Sequence, residues 1–200
     1  MNPANACCVI LLAAGNSSRY GAPKLLQPFD GLPLVRRAAL SALHAGAEVR
    51  VVTGAYAPQI AQALDGIGVR LVHNAAWAEG MGTSIGTAFR GLIDEGRDVE
   101  AAVVCPADLP LIGSEQLQRL FDAHRAQPGR AVISVWDHSQ GPPCLFPRDW
   151  FEALSALRGP QGARRLLAAR AGELVRVEMP EAAADIDTPQ DHARIEQARR

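Results

Sequence analysis

The chain has 200 residues, with 20 lysines and arginines against 21 aspartates and glutamates for a net charge of −1. That length suits a single domain over residues 1–200 with a substantial core, and 48% hydrophobic residues exclude a disordered chain. The near-neutral balance and scattered cations exclude a general role on nucleic acid or on a membrane surface, since each needs a concentrated basic face.

In chain order, Cys7–Leu12 is an apolar run that predicts a buried strand. It lacks a cationic leader and runs into a glycine loop, so a strand is expected rather than a secretory signal. Lys24–Phe29 is expected to be extended, with Asp30-Gly31 as a turn. Pro33 fits the first turn of a helix to about His44, with Leu34, Ala38, Leu40 and Leu43 on its apolar side, and Gly46 ends it. Val49–Thr53 and Val69–His73 read as strands around a short helix, Ala57–Leu64. A loop from Asn74 to Gly82 leads to a helix expected to start at Thr83 or Ser84. Ala101–Cys105, the most apolar run, predicts a central strand. Ser114 is read as the N-cap of a helix to about Gln127, followed by a strand at Ala131–Val135. The pattern loosens from Trp136 to Phe146, with Gly141-Pro142-Pro143 as a break. Helices near Asp149–Leu157 and Gly162–Ala171, a short strand at Leu174–Val177 and a terminal helix capped by Thr188 complete the chain.

Strands alternating with helices predict an α/β fold of three layers, a Rossmann-like, mostly parallel sheet with helices on both faces. Ligands of such sheets bind beyond the carboxyl ends of the strands. The loop after the first strand, Thr53-Gly54, the Asn74 loop and Asp108 all fall at such ends. In that first loop, Gly15 and Gly21 permit sharp turns and close approach of backbone to ligand. Successive N–H groups form a concave nest for phosphate oxygens, beside the cations Arg19 and Lys24. The competing reading is a polar strand-to-helix connection with no ligand. The cysteines Cys7, Cys8, Cys105 and Cys144 contain no C-x-x-C pair, so zinc spacing is absent and reduced thiols in a cytoplasmic protein are expected. No run is long enough to cross a bilayer.

The stretch Leu12-Ala13-Ala14-Gly15-Asn16-Ser17-Ser18-Arg19-Tyr20-Gly21-Ala22-Pro23-Lys24 resembles the signature L-A-A-G-x-S-x-R-x-G-x-x-K of sugar-phosphate and cofactor nucleotidyltransferases. Asn74–Ser84 resembles the N-x-x-W-x-x-G-M-x-x-S block of molybdenum cofactor cytidylyltransferases, a branch of the MobA-like NTP transferases. Gly141–Phe146 is similar to their G-x-P-x-L-F segment, and Gly162-Ala163-Arg164 and Asp185–Asp191 also match blocks of that group in order. The resemblance implies the fold of nucleotide-diphospho-sugar transferases. It implies a reaction in which an acceptor phosphate attacks the α-phosphate of a nucleoside triphosphate and releases pyrophosphate. Leu12, Ala13, Ala14, Gly15, Ser17, Ser18, Arg19, Lys24, Thr53, Gly54, Asn74, Gly80, Met81 and Ser84 are then expected to bind the nucleotide, with Arg19, Lys24 and Asp108 catalytic. Asp108 and Asp187 resemble the two metal-binding carboxylates, for Mg²⁺ or Mn²⁺. Ala14 favours CTP, with GTP the alternative, and the implied acceptor is a molybdopterin-type cofactor, handed to a molybdoenzyme or its maturation chaperone.

Each assignment has a rival. Asp108 could start a turn before Pro110, Asp187 could favour a helix dipole, Lys24 and Arg19 could be solvated, and Ser84 and Asn74 could be a cap and a turn residue. Trp77 and Met81 serve packing or ligand contact, and His138 and Cys144 are read as structural. The chain departs from the family where Leu109 replaces Gln and where Pro160-Gln161 lacks an Asp, both expected toward the acceptor side. Other readings are transfer to a sugar or alditol phosphate, an NAD(P)-dependent oxidoreductase, and a non-catalytic cofactor carrier. The oxidoreductase reading lacks a G-x-G-x-x-G motif.

Overall fold

A computed structural model describes residues 7–96 and 98–198. The segment before Cys7, read above as lacking a cationic leader, lies outside them. Strand β1 (Cys7–Ala13) is followed by a small hairpin of β2 (Pro28–Phe29) and β3 (Leu32–Pro33), then helix α1 (Leu34–His44) and β4 (Glu48–Thr53). Helix α2 (Ala57–Ala63), β5 (Arg70–His73), α3 (Met81–Asp94), β6 (Ala101–Pro106) and α4 (Ser114–Ala126) come next. The hairpin β7 (Ala131–Trp136) and β8 (Ser139–Pro147), helices α5 (Phe151–Ser155) and α6 (Arg164–Ala169), β9 (Leu174–Glu178) and α7 (Pro189–Gln197) follow.

Seven strands form one sheet in the order β5-β4-β1-β6-β8-β7-β9. β1 pairs in parallel with β4 on one side and β6 on the other, and only β8 runs against its neighbours. This is the α/β, Rossmann-like arrangement, with β6 at the centre of the sheet as its apolar run demands. The chain proceeds from β1 outward to β4 and β5, then returns through α3 to β6 on the other side of β1. The strand order therefore reverses at β1 and β6, and a crevice opens there at the carboxyl ends. Alternate side chains of β1 feed two cores. Cys7, Val9 and Leu11 pack with α1, α2, α4 and α7, while Cys8 and Ile10 pack with α3 and α5. No helix among the described residues is long and apolar enough to cross a membrane.

The structure departs from the sequence reading in identifiable places. Lys24–Leu26 is a short 3-10 turn, not extended chain. Helix α3 starts at Met81, because Gly80 takes a left-handed φ of 118° and serves as the cap. Thr83 and Ser84 instead turn inward: Thr83 Oγ1 donates to the Gly80 carbonyl at 2.8 Å, and both hydroxyls accept from Asn74. Gly113, not Ser114, is the N-cap of α4, with Gln116 Oε1 accepting its N–H at 3.0 Å. In α1 the buried line is Leu34, Val35, Ala39 and Ala42, where small residues let the helix lie close on the sheet. The largest correction is β8, which occupies the loosened stretch. Its ladder to β7 slips between Ile133 and Ser134, so Pro142 and Pro143 fall in the bulge and no cross-strand partner needs their missing N–H. Ser134 Oγ donates to the Pro143 carbonyl at 2.7 Å and secures the bulge.

Helix α3 lies against the 155–160 segment through glycines. A Cβ on Gly82 would stand 2.5 Å from the Arg158 carbonyl oxygen and 2.8 Å from that of Gly159. The Gly82 N–H donates to the same Gly159 oxygen at 2.8 Å, so neither chain can move aside cheaply. Gly82→Ala is expected to lower stability by about 2 kcal/mol through overpacking. A urea unfolding midpoint shifted down at unchanged slope is the expected measurement, and an unaltered midpoint would show that the segments can separate freely.

Candidate active site

The carboxyl end of β1 is tied on both sides. The Leu12 carbonyl accepts from Ala107 N–H beyond β6, and the Ala14 carbonyl accepts from Ala55 N–H beyond β4, each at 3.1 Å. The chain then leaves the sheet in a loop whose left-handed residues are Ser17, at φ 54°, and Gly21, at φ 77°. Gly15 needs no such conformation; its contribution is the missing side chain, which leaves the cleft wall open. The Ser17 carbonyl accepts from the N–H groups of Tyr20 and Gly21, and Ser17 Oγ accepts from Lys24 N–H at 3.3 Å. Tyr20 is fixed from behind, its hydroxyl 2.9 Å from His192 Nδ1 on α7. The loop is therefore held by its own turns and by the last helix.

Lys24 lies between the two acidic residues. Its Nζ donates to Asp108 Oδ2 at 2.6 Å, to the Ile186 carbonyl at 2.7 Å and to Asp187 Oδ1 at 3.2 Å. Those three bonds use all the donors of the ammonium. Arg19 Nη1 meets the other Asp187 oxygen at 2.6 Å from a side chain that is 73% exposed. Burial works against the Lys24 charge, but the Asp108 and Asp187 carboxylates overcome it and hold the ammonium above its ordinary pKa. Burial, with the charges of Asp187 and Asp108, raises the neighbouring Asp185 carboxyl. Asp108 is placed by the end of β6, and Asp187 by the segment before α7, where Thr188 and Asp191 form a reciprocal capping box. A backbone bond from Ile186 N–H to the Asp108 carbonyl, at 3.1 Å, joins these two segments directly.

These groups line a cleft of about 380 Å³. The structure brings Leu12, Ala14, Gly15, Ser17, Ser18, Arg19, Lys24, Gly80, Met81, Ser84, Asp108 and Asp187 to it. Asn16, Leu25, Trp77, Ala78 and Pro106 join them; of these, the sequence offers only Trp77 as a ligand contact. Ala13, Thr53, Gly54 and Asn74 are not on the lining. Ala13 points into the core, and the Thr53 carbonyl accepts from Asn74 N–H at 2.9 Å. Gly54 lies behind Trp77, and a Cβ there would come within 2.5 Å of the Ala14 oxygen and 2.6 Å of Trp77 Cβ. Asn74 is buried as a brace: its Nδ2 donates to Thr83 Oγ1 at 2.9 Å and Ser84 Oγ at 3.0 Å, and its Oδ1 accepts from Ala76 N–H at 3.0 Å. Because Ser84 Oγ accepts from Asn74, its own O–H is left to donate into the cleft.

A second cleft of about 410 Å³ adjoins the first and shares Leu12, Met81 and Pro106 with it. Its walls are mainly apolar, among them Ile85, Val104, Ile133, Phe146 and Leu167, with Gln140, Gln161 and Arg164 as the polar side chains. Leu109 faces neither cleft; it is buried in the core beside α4, so its departure from the family pattern is a packing substitution and not one of the acceptor side. Cys144 forms part of the second cleft's wall, yet burial pushes its thiol up to about 12 and Sγ donates to the Gly141 carbonyl, so it offers no nucleophile. His138 is exposed in the β7–β8 turn, away from both clefts.

Among the described residues no group of three or more His, Cys, Asp or Glu gathers to hold a metal ion. Two carboxylates, Asp108 and Asp187, converge on one point that the structure fills with an ammonium. Oxygen donors converging on a cation suit a hard divalent ion, with the remaining ligands left to phosphate oxygens and water.

The MobA-like NTP transferase domain matches residues 9–176 of the chain. Nicotine blue oxidoreductase of Paenarthrobacter nicotinovorans is 33% identical over 138 residues, 68% of this chain and 65% of that protein, so the match spans just under two thirds of its length. Among solved structures, a homologue of Mycobacterium tuberculosis Rv0371c from Mycobacterium sp. strain JC1 superposes with a TM-score of 0.82 at 22% identity, over 96% of both chains. Rv0371c of M. tuberculosis H37Rv in complex with manganese follows at 0.75 and 22%, over 97% of this chain and 100% of that one. CMP:2-keto-3-deoxy-manno-octonic acid synthetase complexed with CTP gives 0.76 and 16%, over 98% of each. At these identities the structures establish a shared fold.

Asn74→Ala removes a buried amide that satisfies two hydroxyls and one N–H. It is expected to cost about 2–3 kcal/mol of stability, the loss that follows when buried partners are left unpaired. Chemical denaturation is the check, with Asn74→Asp as the size-matched comparison; a loss below about 0.5 kcal/mol would remove Asn74 from the bracing role.

Proposed function

The chain belongs to the MobA-like NTP transferase domain family, and on that premise we propose that it is a nucleotidyltransferase that transfers CMP from CTP to a molybdopterin-type cofactor. The observation that supports this reading is the Arg19–Lys24–Asp108–Asp187 cluster, two cations and two converging carboxylates that line one cleft with the glycine loop. Transfer at a phosphorus atom calls for positioning and charge neutralisation more than for covalent help. In this reading the loop from Ala14 to Ser18 cradles the phosphates, while Arg19 and Lys24 stabilise charge on the equatorial and leaving oxygens. The attacking group is a phosphate oxygen of the acceptor, already ionised at neutral pH, so no general base is required. Pyrophosphate departs on the side of Arg19 and Lys24.

Asp108 and Asp187 would hold Mg²⁺, with Mn²⁺ as a substitute. When bound, the ion would neutralise charge between the phosphate oxygens and the incoming phosphate. Ala14, Ser84 and Trp77 surround the end of the cleft assigned to the base. Trp77 is seated on Gly54, where any side chain would push it into the cleft, and the preference for CTP rests on Ala14 at the same end. The second cleft supports the acceptor class. A sugar or alditol phosphate would set several hydroxyls against Ile85, Val104, Ile133, Phe146 and Leu167, each unpaired hydroxyl costing about 1–3 kcal/mol. A pterin gathers its amide and amine groups along one edge, where Gln140, Gln161 and Arg164 would pair with them while the ring faces lie on the apolar residues. The four buried, unbridged thiols agree with a reducing cytoplasm, where a molybdoenzyme or its chaperone would receive the product.

A second reading is favoured by one finding, the name of the 33% identical relative, an oxidoreductase: this chain would then be the NAD(P)-dependent oxidoreductase weighed above, with its acceptor in the apolar cleft. One assay separates the readings. Pyrophosphate release is measured with CTP or GTP and Mg²⁺, with molybdopterin or an alditol phosphate as acceptor, beside NAD(P)H oxidation. The CTP–molybdopterin pair is expected to turn over fastest, and Asp108→Asn or Asp187→Asn to slow it by about 10²-fold or more at retained fold. Turnover only with another pair, or NAD(P)H oxidation without triphosphate, would replace the first reading.

A further inference from the structure

We propose that the free protein keeps its carboxylate pair closed with its own cations, so that a divalent ion enters only together with a nucleoside triphosphate, which draws Lys24 and Arg19 off Asp108 and Asp187. The proposal rests on Asp108 and Asp187 being the metal carboxylates, and it concerns what occupies them beforehand. Every donor of the Lys24 ammonium is committed to Asp108, Asp187 and the Ile186 carbonyl, at 2.6–3.2 Å. The remaining Asp187 oxygen is committed to Arg19 at 2.6 Å. Two cations thus cancel two carboxylates. A divalent ion arriving alone would meet that ammonium at contact distance, with the two carboxylates it needs already neutralised. A triphosphate arriving alone would face two carboxylates whose counter-ions it must share. Arriving together, the ion takes the carboxylates and the phosphates take the freed cations, and every charge keeps a partner.

The geometry suits such an exchange. Lys24 carries its charge on a flexible four-carbon stem, while its own N–H stays anchored to Ser17 Oγ. Arg19 projects from the turn closed by the Ser17 carbonyl, and its side chain is mostly in solvent. The adjacent Tyr20 is held by His192, so the loop stays in place while the two side chains swing. The Ile186 carbonyl is the third group that releases the ammonium, and it belongs to the segment that carries Asp187.

The test reads metal binding, not turnover. Mn²⁺ is titrated into the full chain, and water-proton relaxation enhancement, which separates protein-bound ion from free ion and from ion on nucleotide, is followed with and without α,β-methylene-CTP and with no acceptor. Wild type alone is expected to bind weakly, and the nucleotide to tighten Mn²⁺ about tenfold or more, within the usual range of coupling between two ligands. Lys24→Met is expected to bind Mn²⁺ without nucleotide about tenfold more tightly than wild type, with most of the coupling gone. Arg19→Ala, an exposed position whose change does not threaten the fold, is expected to move the same way by a smaller factor. Equal Mn²⁺ affinity of wild type with and without the analogue would overturn the exchange and leave the metal assignment standing. No enhancement in any protein or combination would overturn both.

Discussion

Two carboxylates from distant parts of the chain converge on one ammonium, and that constraint organises the site. Lys24 is 84 residues from Asp108 and 163 from Asp187, so the contact requires the first loop, the end of β6 and the segment before α7 to arrive together. Like charges so close would repel without a cation between them. The backbone bond between Ile186 and Asp108 fixes their spacing whatever cation is present. The sheet supplies the rest: because the strand order reverses at β1 and β6, the loop after one faces the turn after the other across an open crevice.

Much of the fold is legible from local pattern. The strands flanking β1, the short helices after β4 and before β9, and the Thr188 cap all follow from apolar runs bounded by glycine, proline or a capping residue. What escapes has a common cause, that a partner elsewhere decides the local conformation. β8 looks like a broken loop because its prolines read as stops, yet a two-residue bulge opposite β7 removes the need for their N–H groups. Thr83 and Ser84 look like helix caps because hydroxyls favour that place, but Asn74 claims them, and a glycine takes the cap. In the loop the strained conformation belongs to Ser17 and not to Gly15, a choice made by the turn it closes with Tyr20 and Gly21.

The site divides in the same way. Residue types and order mark the loop, Asp108 and Asp187, and the fold carries them to one cleft. Sequence alone treats Lys24 as a partner of phosphate; it does not reveal that its three donors are already spent on the protein. Thr53, Gly54 and Asn74 fall at strand ends, as ligand contacts do, yet stand one layer back, where they shape the wall and do not form it. Strand-end position therefore identifies the neighbourhood, while burial decides which side chains meet the occupant.

Met81 belongs to both clefts, as Leu12 and Pro106 do, and is the flexible member of the partition between two chambers. It starts a helix pinned by glycines to the 155–160 segment, so its backbone is fixed, but its side chain is half exposed and has three rotatable bonds. A rigid base with a pliable tip thus stands where the two chambers meet. Where that tip rests, beside the fixed Leu12 and Pro106, sets how the open volume is divided between the two clefts.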